Sequence, residues 1–186
     1  MIRGDSSEYN LLSKWAREFI KLDQDKYILS CEIGVREGLG SKIIMDELKP
    51  DRHIGVDPYG NLKYQHYDNS PAYTCDYTES MRLQLLKDMS GYHKFDLYHM
   101  TDIEFMNKNW DFGPFHFVHF DGPHMTKDVL TEAVWFADRS TLRTHFVFDD
   151  YPKYDMDLIS KVLSYYGFEL LEKGENKICL VKVKQK

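Results

Sequence analysis

Cysteine is scarce. The 186 residues contain three, Cys31, Cys75 and Cys179. An odd, unpatterned set suggests neither a disulfide framework nor a cysteine-based zinc site. A reducing, cytoplasmic compartment is then the simplest expectation. No run reaches the ~18 consecutive apolar residues of a membrane span, so no membrane association is expected. The opening MIRGDSSEYN lacks the basic-then-apolar layout of a signal peptide. There is no Lys/Arg run, and the formal net charge is −6. Both argue against a broad nucleic-acid surface. Internal repeats, low-complexity segments and dividing linkers are also missing, so residues 1–186 are expected to form one domain.

What is present suits a packed globular core. Charged residues make up 29% and apolar residues 42%, ordinary values for a soluble domain. Aromatic residues reach 15%, with 13 Tyr. That is compatible with a stacking pocket, although many must be core. Ser6-Ser7-Glu8 precedes YNLLSKWAREFIKL, in which Leu11, Leu12, Trp15, Phe19 and Leu22 share one helical face. This helix is expected to cover a sheet or to border a ligand entrance. Tyr27–Ile33 reads as a strand, followed by a Gly-rich turn and a helix from Ser41 to Leu48, with Pro50 just beyond it. Further strands are expected at His53–Val56, Phe95–Met100, Phe115–Phe120 and His145–Phe148. They alternate with helical stretches at Thr78–Met89, Thr126–Asp138 and Asp157–Tyr166 and with a short helical or irregular piece at Ile103–Asn109. Phe168–Leu171 and Ile178–Val183, joined through KGENK, form a terminal antiparallel hairpin.

Alternating strands and helices predict a Rossmann-like, doubly wound, mostly parallel seven-stranded sheet ending in that hairpin. Between the second strand and the next helix lies a Tyr-rich stretch, 58–77. It carries Tyr64, His66, Tyr67, Tyr73 and Tyr77 and has no clear periodicity. A connection this long tends to be functional or mobile, and it reads as a lid or as a surface loop packed on itself.

The turn itself is Glu32-Ile33-Gly34-Val35-Arg36-Glu37-Gly38-Leu39-Gly40. Glycines between a strand and a helix let backbone N–H groups approach a ligand. The dinucleotide fingerprint G-x-G-x-x-G is not there; the spacing is E-x-G-x-x-x-G-x-G. This resembles the glycine motif of class I S-adenosylmethionine (SAM)-dependent methyltransferases. The resemblance implies that Glu32 and Gly34 border the methionyl end of SAM, and that Gly38 and Gly40 permit the tight passage of the chain. Asp57 ends the second strand, where an acid can accept from both ribose hydroxyls; alternatively Asp57-Pro58 only begins a turn. Asp102, after the third strand, is expected either beside the adenine or as a helix cap.

The remaining motifs follow the fourth and fifth strands: Asp121-Gly122-Pro123-His124 and Asp149-Asp150-Tyr151. Ligands of open α/β sheets bind outside the carboxyl ends of the strands, and neighbouring strands lie about 4.8 Å apart. Asp121, Asp149 and Asp150 are therefore expected at one rim. Crowded carboxylates repel one another, and a hard cation such as Mg²⁺ relieves this. The alternative is a set of solvated loop acids. The pair of motifs resembles the macrocin-type sugar O-methyltransferases. That resemblance implies Mg²⁺ held by Asp121, Asp149 and Asp150 and a sugar hydroxyl as methyl acceptor. It covers roughly residues 27–152. One departure concerns the base: several of those enzymes have a second Asp two residues after the first, where this chain has Pro123. His124 is the natural substitute, since a histidine suits proton abstraction near neutrality. The chain is also shorter than those enzymes, which leaves other small-molecule acceptors open. The expectation is thus a SAM-dependent methyltransferase acting on a small-molecule hydroxyl. A SAM-binding scaffold of the same fold, without turnover, is the alternative. Neither oligomeric state nor acceptor is legible.

Overall fold

The computed structural model describes residues 2–4, 6–22, 27–60, 63–64, 73–74 and 77–184. Helix α1 (Tyr9–Leu22) precedes β1 (Leu29–Ile33), α2 (Leu39–Glu47) and β2 (Arg52–Asp57). Two short strands, β3 (Lys63–Tyr64) and β4 (Tyr73–Thr74), pair with each other. Then come α3 (Glu79–Asp88), β5 (Phe95–His99), α4 (Asp102–Met106), β6 (Phe115–Phe120), α5 (Thr126–Ala137) and β7 (Ser140–Phe148). After a 3₁₀ turn at Tyr151–Lys153, α6 (Met156–Ser164) leads to β8 (Phe168–Lys173) and β9 (Ile178–Lys182).

The main sheet has seven strands in the order β5-β2-β1-β6-β7-β9-β8. All pairings from β5 to β7 are parallel, whereas β9 joins β7 and β8 antiparallel. The expected doubly wound sheet with its terminal hairpin is therefore the observed one. Its central strands read as near-continuous apolar runs because helices cover both faces; every residue of FHFVHF in β6 is buried. On one face α1 contributes Leu12, Trp15, Ala16 and Phe19 to a cluster with Ile44, Leu48 and Phe117. On the other, Val129, Ala133 and Phe136 of α5 and Ile159 and Leu163 of α6 pack on Phe120, Phe146 and Phe148. Most of the aromatic surplus is consumed here: Phe105, Trp110, Phe112 and Trp135 form an interlocked set of ring contacts.

Register decides what reaches the rim. Ile33 pairs with Val56 on one side and with Phe120 on the other, and Phe120 pairs with Phe148. The residues that follow these, Gly34, Asp57, Asp121 and Asp149, therefore leave four neighbouring strands at one level. The order of strands reverses at β1, between β2 and β6, and that is where an open α/β sheet leaves a crevice. Strand β7 starts at Ser140 rather than at His145, because the half-exposed STLRT segment pairs through Ser140 with Phe115 across a register shift. The predicted lid over 58–77 lies largely outside the described residues. Within it Tyr59 is buried against His99, and its hydroxyl donates to the Arg36 carbonyl.

Candidate active site

A cavity of about 440 Å³ opens at this rim, floored by Gly34, Glu32, Asp121 and Asp149 and bordered by His124 and Tyr77. Gly34 has φ +82°, and a Cβ there would lie 2.1 Å from the Asp121 carbonyl oxygen. Only glycine lets β1 end so close to β6. Gly40 has a different reason: its Cβ would meet Glu32 Oε1 at 1.9 Å. Gly38 has φ +86° and turns the chain into α2, facing Leu85 and not the cavity. Arg3 and Gly4 complete the mouth, with Arg3 bridged to Gly38. Ser6 and Tyr9 at the start of α1 also line it. The helix thus both covers the sheet and borders the entrance.

Asp57 is fully buried, and its Oδ2 accepts from the Val35 and Arg36 N–H groups at 2.9 Å each. It holds the glycine turn from beneath. Oδ1 has no hydrogen-bond partner. Burial pushes its pKa up to about 6 against the pull of the Arg36, Val35 and Tyr59 N–H groups. Asp57 and Asp102 line one small recess between Gly34 and Pro123. Thr101, not Asp102, caps α4, in a reciprocal box with Glu104.

Glu32 is wired into the sheet. Its Oε1 meets His119 Nδ1 at 2.8 Å, and Ser41 donates to Oε2. Ser41 Oγ lies 3.0 Å from His53 Nε2, and His53 Nδ1 lies 2.8 Å from Ser30 Oγ. Since the carboxylate only accepts, the donor order runs Ser30 to His53 to Ser41 to Glu32, with His119 donating from its Nδ1. Burial holds the His53 pKa down at about 4, consistent with a neutral relay member.

Asp121 and Asp149 hydrogen-bond to each other. Burial and the neighbouring Asp149 charge push the Asp121 pKa well up. Asp149 goes the other way: burial would raise it, but the bond from Asp121 and the Lys177 ammonium bring it to about 2. The pair behaves as a dyad that keeps one proton on Asp121. No sequence pattern singles out Lys177. It is fully buried and sets its Nζ 2.5 Å from Asp149 Oδ1. Asp150 turns aside with φ 49°; its Oδ2 lies 2.5 Å from Lys153 Nζ and 3.6 Å from His124 Nε2. His124 stacks parallel to Tyr154 and leaves Nε2 without a hydrogen bond. Burial lowers its pKa despite the Asp150 charge.

The expected Asp121–Asp149–Asp150 cation site is not assembled as one cluster. Among the described residues the groups whose ligand atoms converge within 4.8 Å are Glu32, His119 and Asp121. Glu32 and His119 are already bonded to each other. The donors at the rim therefore do not fit a divalent ion as they stand. The turn fits a nucleoside ligand better, because the buried Oδ1 of Asp57 lacks a donor and the glycine floor is open to the cavity.

Sheet order, glycine turn and rim acids together define a methyltransferase domain. Residues 31–151 match the family described as "Methyltransferase domain", and the chain belongs to it. No curated protein sequence matches the chain significantly. Solved structures share the fold at low identity. An O-methyltransferase from Bacillus cereus, in complex with S-adenosylhomocysteine (SAH), superposes with a TM-score of 0.67 at 10% identity, over 98% of this chain and 84% of that one. The O-methyltransferase TomG from Streptomyces achromogenes, in complex with SAM, gives 0.64 at 12% identity over 98% and 82%. The N-methyltransferase NodS from Bradyrhizobium japonicum WM9 gives 0.60 at 8% identity over 95% and 96%. No helix among the described residues is long and apolar enough to cross a membrane.

Proposed function

We propose that this methyltransferase uses SAM and methylates a hydroxyl of a small molecule, with a sugar as the leading acceptor class. The observation that carries the reading is the pairing of a nucleoside cradle, in which a buried acceptor lacks its donor, with a histidine that has a free nitrogen. Gly34, Gly40 and Asp57 would hold the cofactor, with Glu32 and Asp102 at its two ends. SAM, when bound, supplies a methyl group on a cationic sulfur. The Glu32 carboxylate, which lines the cavity, suits that positive charge.

His124 is the proposed general base. Burial keeps it neutral near pH 7, so it can take the hydroxyl proton as the oxygen forms its bond to the methyl carbon. Asp150 Oδ2, 3.6 Å from that same Nε2, attracts the proton gained there. Burial and Asp149 keep Asp121 protonated, and its one proton is held in the bond to Asp149. No step is assigned to a metal. A small acceptor rather than a nucleic acid fits the acidic balance of the chain.

The test is methyl transfer from SAM to a panel of hydroxylated small molecules, sugars included, read by mass spectrometry. Appearance of a product heavier by about 14 mass units, one methylene, with stoichiometric SAH supports the reading. SAH binding without any transfer would favour a non-catalytic scaffold.

A further inference from the structure

Lys177 is a lysine with no exposed surface, and charge withdrawn this far from water needs a partner. It stands directly before β9. Phe148 of β7 pairs antiparallel with Ile178, so the residue after one strand meets the residue before the other. The register therefore sets Lys177 beside Asp149. Its Nζ lies 2.5 Å from Asp149 Oδ1, 2.7 Å from Ser6 Oγ and 3.5 Å from His119 Nε2, with the Tyr9 ring 5.3 Å away. An ammonium only donates, so His119 offers its bare Nε2 here and its Nδ1–H to Glu32.

The backbone that carries this lysine is itself held. Glu8 accepts from the N–H groups of Glu175, Asn176 and Lys177 at 3.0, 2.7 and 2.9 Å. The Lys177 carbonyl takes the Gly174 N–H at 2.7 Å. The N-terminal segment and the terminal hairpin thus clamp one cation against the ends of β6 and β7. A divalent ion bound to Asp149 would have to displace this ammonium or share its oxygen, and Asp150 is engaged by Lys153.

We propose that Lys177 supplies, from within the chain, the positive charge that a divalent cation supplies at a metal-dependent rim, and that this protein therefore binds no divalent ion at Asp121 and Asp149. Lys177 is a positioning residue. It touches no open surface and acts through Asp149 and His119. The inference rests on the methyl-transfer reading only for what the rim is used for; the charge arrangement stands without it.

Mn²⁺, a paramagnetic probe of divalent sites, tests this without SAM or acceptor. Free Mn²⁺ counted by electron paramagnetic resonance should be undiminished by the wild-type protein into the millimolar range, and its melting temperature should not respond to Mg²⁺ or to chelator. Lys177→Met removes the charge and keeps the volume. It should gain one Mn²⁺ site, which Asp149→Asn in the same chain removes, while Lys177→Arg stays free of Mn²⁺. A wild-type protein that takes up one Mn²⁺ at micromolar concentration, lost in Asp149→Asn, overturns the proposal. So does a folded Lys177→Met that takes up none. If Lys177→Met does not fold, the wild-type titration decides alone. Failure of SAH to bind would refute the methyl-transfer reading and leave the Mn²⁺ result as it is.

Discussion

Replacing Asp57 with Asn changes one charge under the glycine turn and keeps an oxygen for the Val35 and Arg36 N–H groups. The pKa of Asp57 rises from an ordinary 3.8 to about 6 on folding. The folded state therefore prefers the protonated form. The stability this contributes is complete below pH 3.8 and is lost as pH rises through about 6. Each unit is worth about 1.4 kcal/mol, so the full loss is ~3 kcal/mol. Between about pH 4.5 and about pH 7.5, the part that develops is ~2 kcal/mol. Asn does not titrate. The stability of Asp57→Asn minus that of the wild type should thus shift toward the variant by ~2 kcal/mol across this window. Urea unfolding of both proteins at the two pH values measures it, and the subtraction removes every other titrating group. A difference that stays constant with pH, or moves toward the wild type, would refute the claim that burial dominates at Asp57.

Gly34→Ala places a Cβ 2.1 Å from the Asp121 carbonyl at φ +82°; backbone and packing costs together should take ~2–4 kcal/mol from stability, and unchanged urea unfolding would contradict the close approach. His124→Gln should lower kcat by ~10² or more while leaving SAH affinity nearly unchanged. Because burial holds the His124 pKa below 6.5, the wild-type rate should rise with pH through that lowered value and then level off, and the variant should lose this rise. A pH profile left unchanged by His124→Gln would remove His124 as the base.

Much of the architecture was legible because the strands are apolar on both faces and glycine, proline and asparagine punctuate them. IGVD, FHFVHF and HFVFDD left little choice about where the parallel sheet runs. What periodicity missed was the start of β7, where STLRT is polar and half-exposed and only its pairing with β6 makes it a strand. At the rim, Asp57, Asp121 and Asp149 were legible as acids that end strands. Their partners were not. Lys177 lies in KGENK, which reads as an ordinary polar turn, and nothing local says that the antiparallel register will bury it beside Asp149. Ser6 and Glu8 stand just before α1 in sequence, yet they serve the hairpin at the far end of the chain, 168 residues on from Glu8 to Asn176. His119 sat inside an apolar strand, and only its place opposite Glu32 in the β1–β6 pair reveals the contact. The expectation of three metal-binding aspartates did not reckon with Lys177, whose ammonium lies 2.5 Å from Asp149 Oδ1.

On the proposed reading, the crevice at the ends of β1 and β2 holds the nucleoside of SAM. Calorimetric titration of the folded protein with SAH tests it most directly. One site of micromolar affinity, weakened at least tenfold (about 1.4 kcal/mol) by Asp57→Ala, is the expected result. No binding up to millimolar SAH, by wild-type protein with an intact unfolding transition, would contradict it.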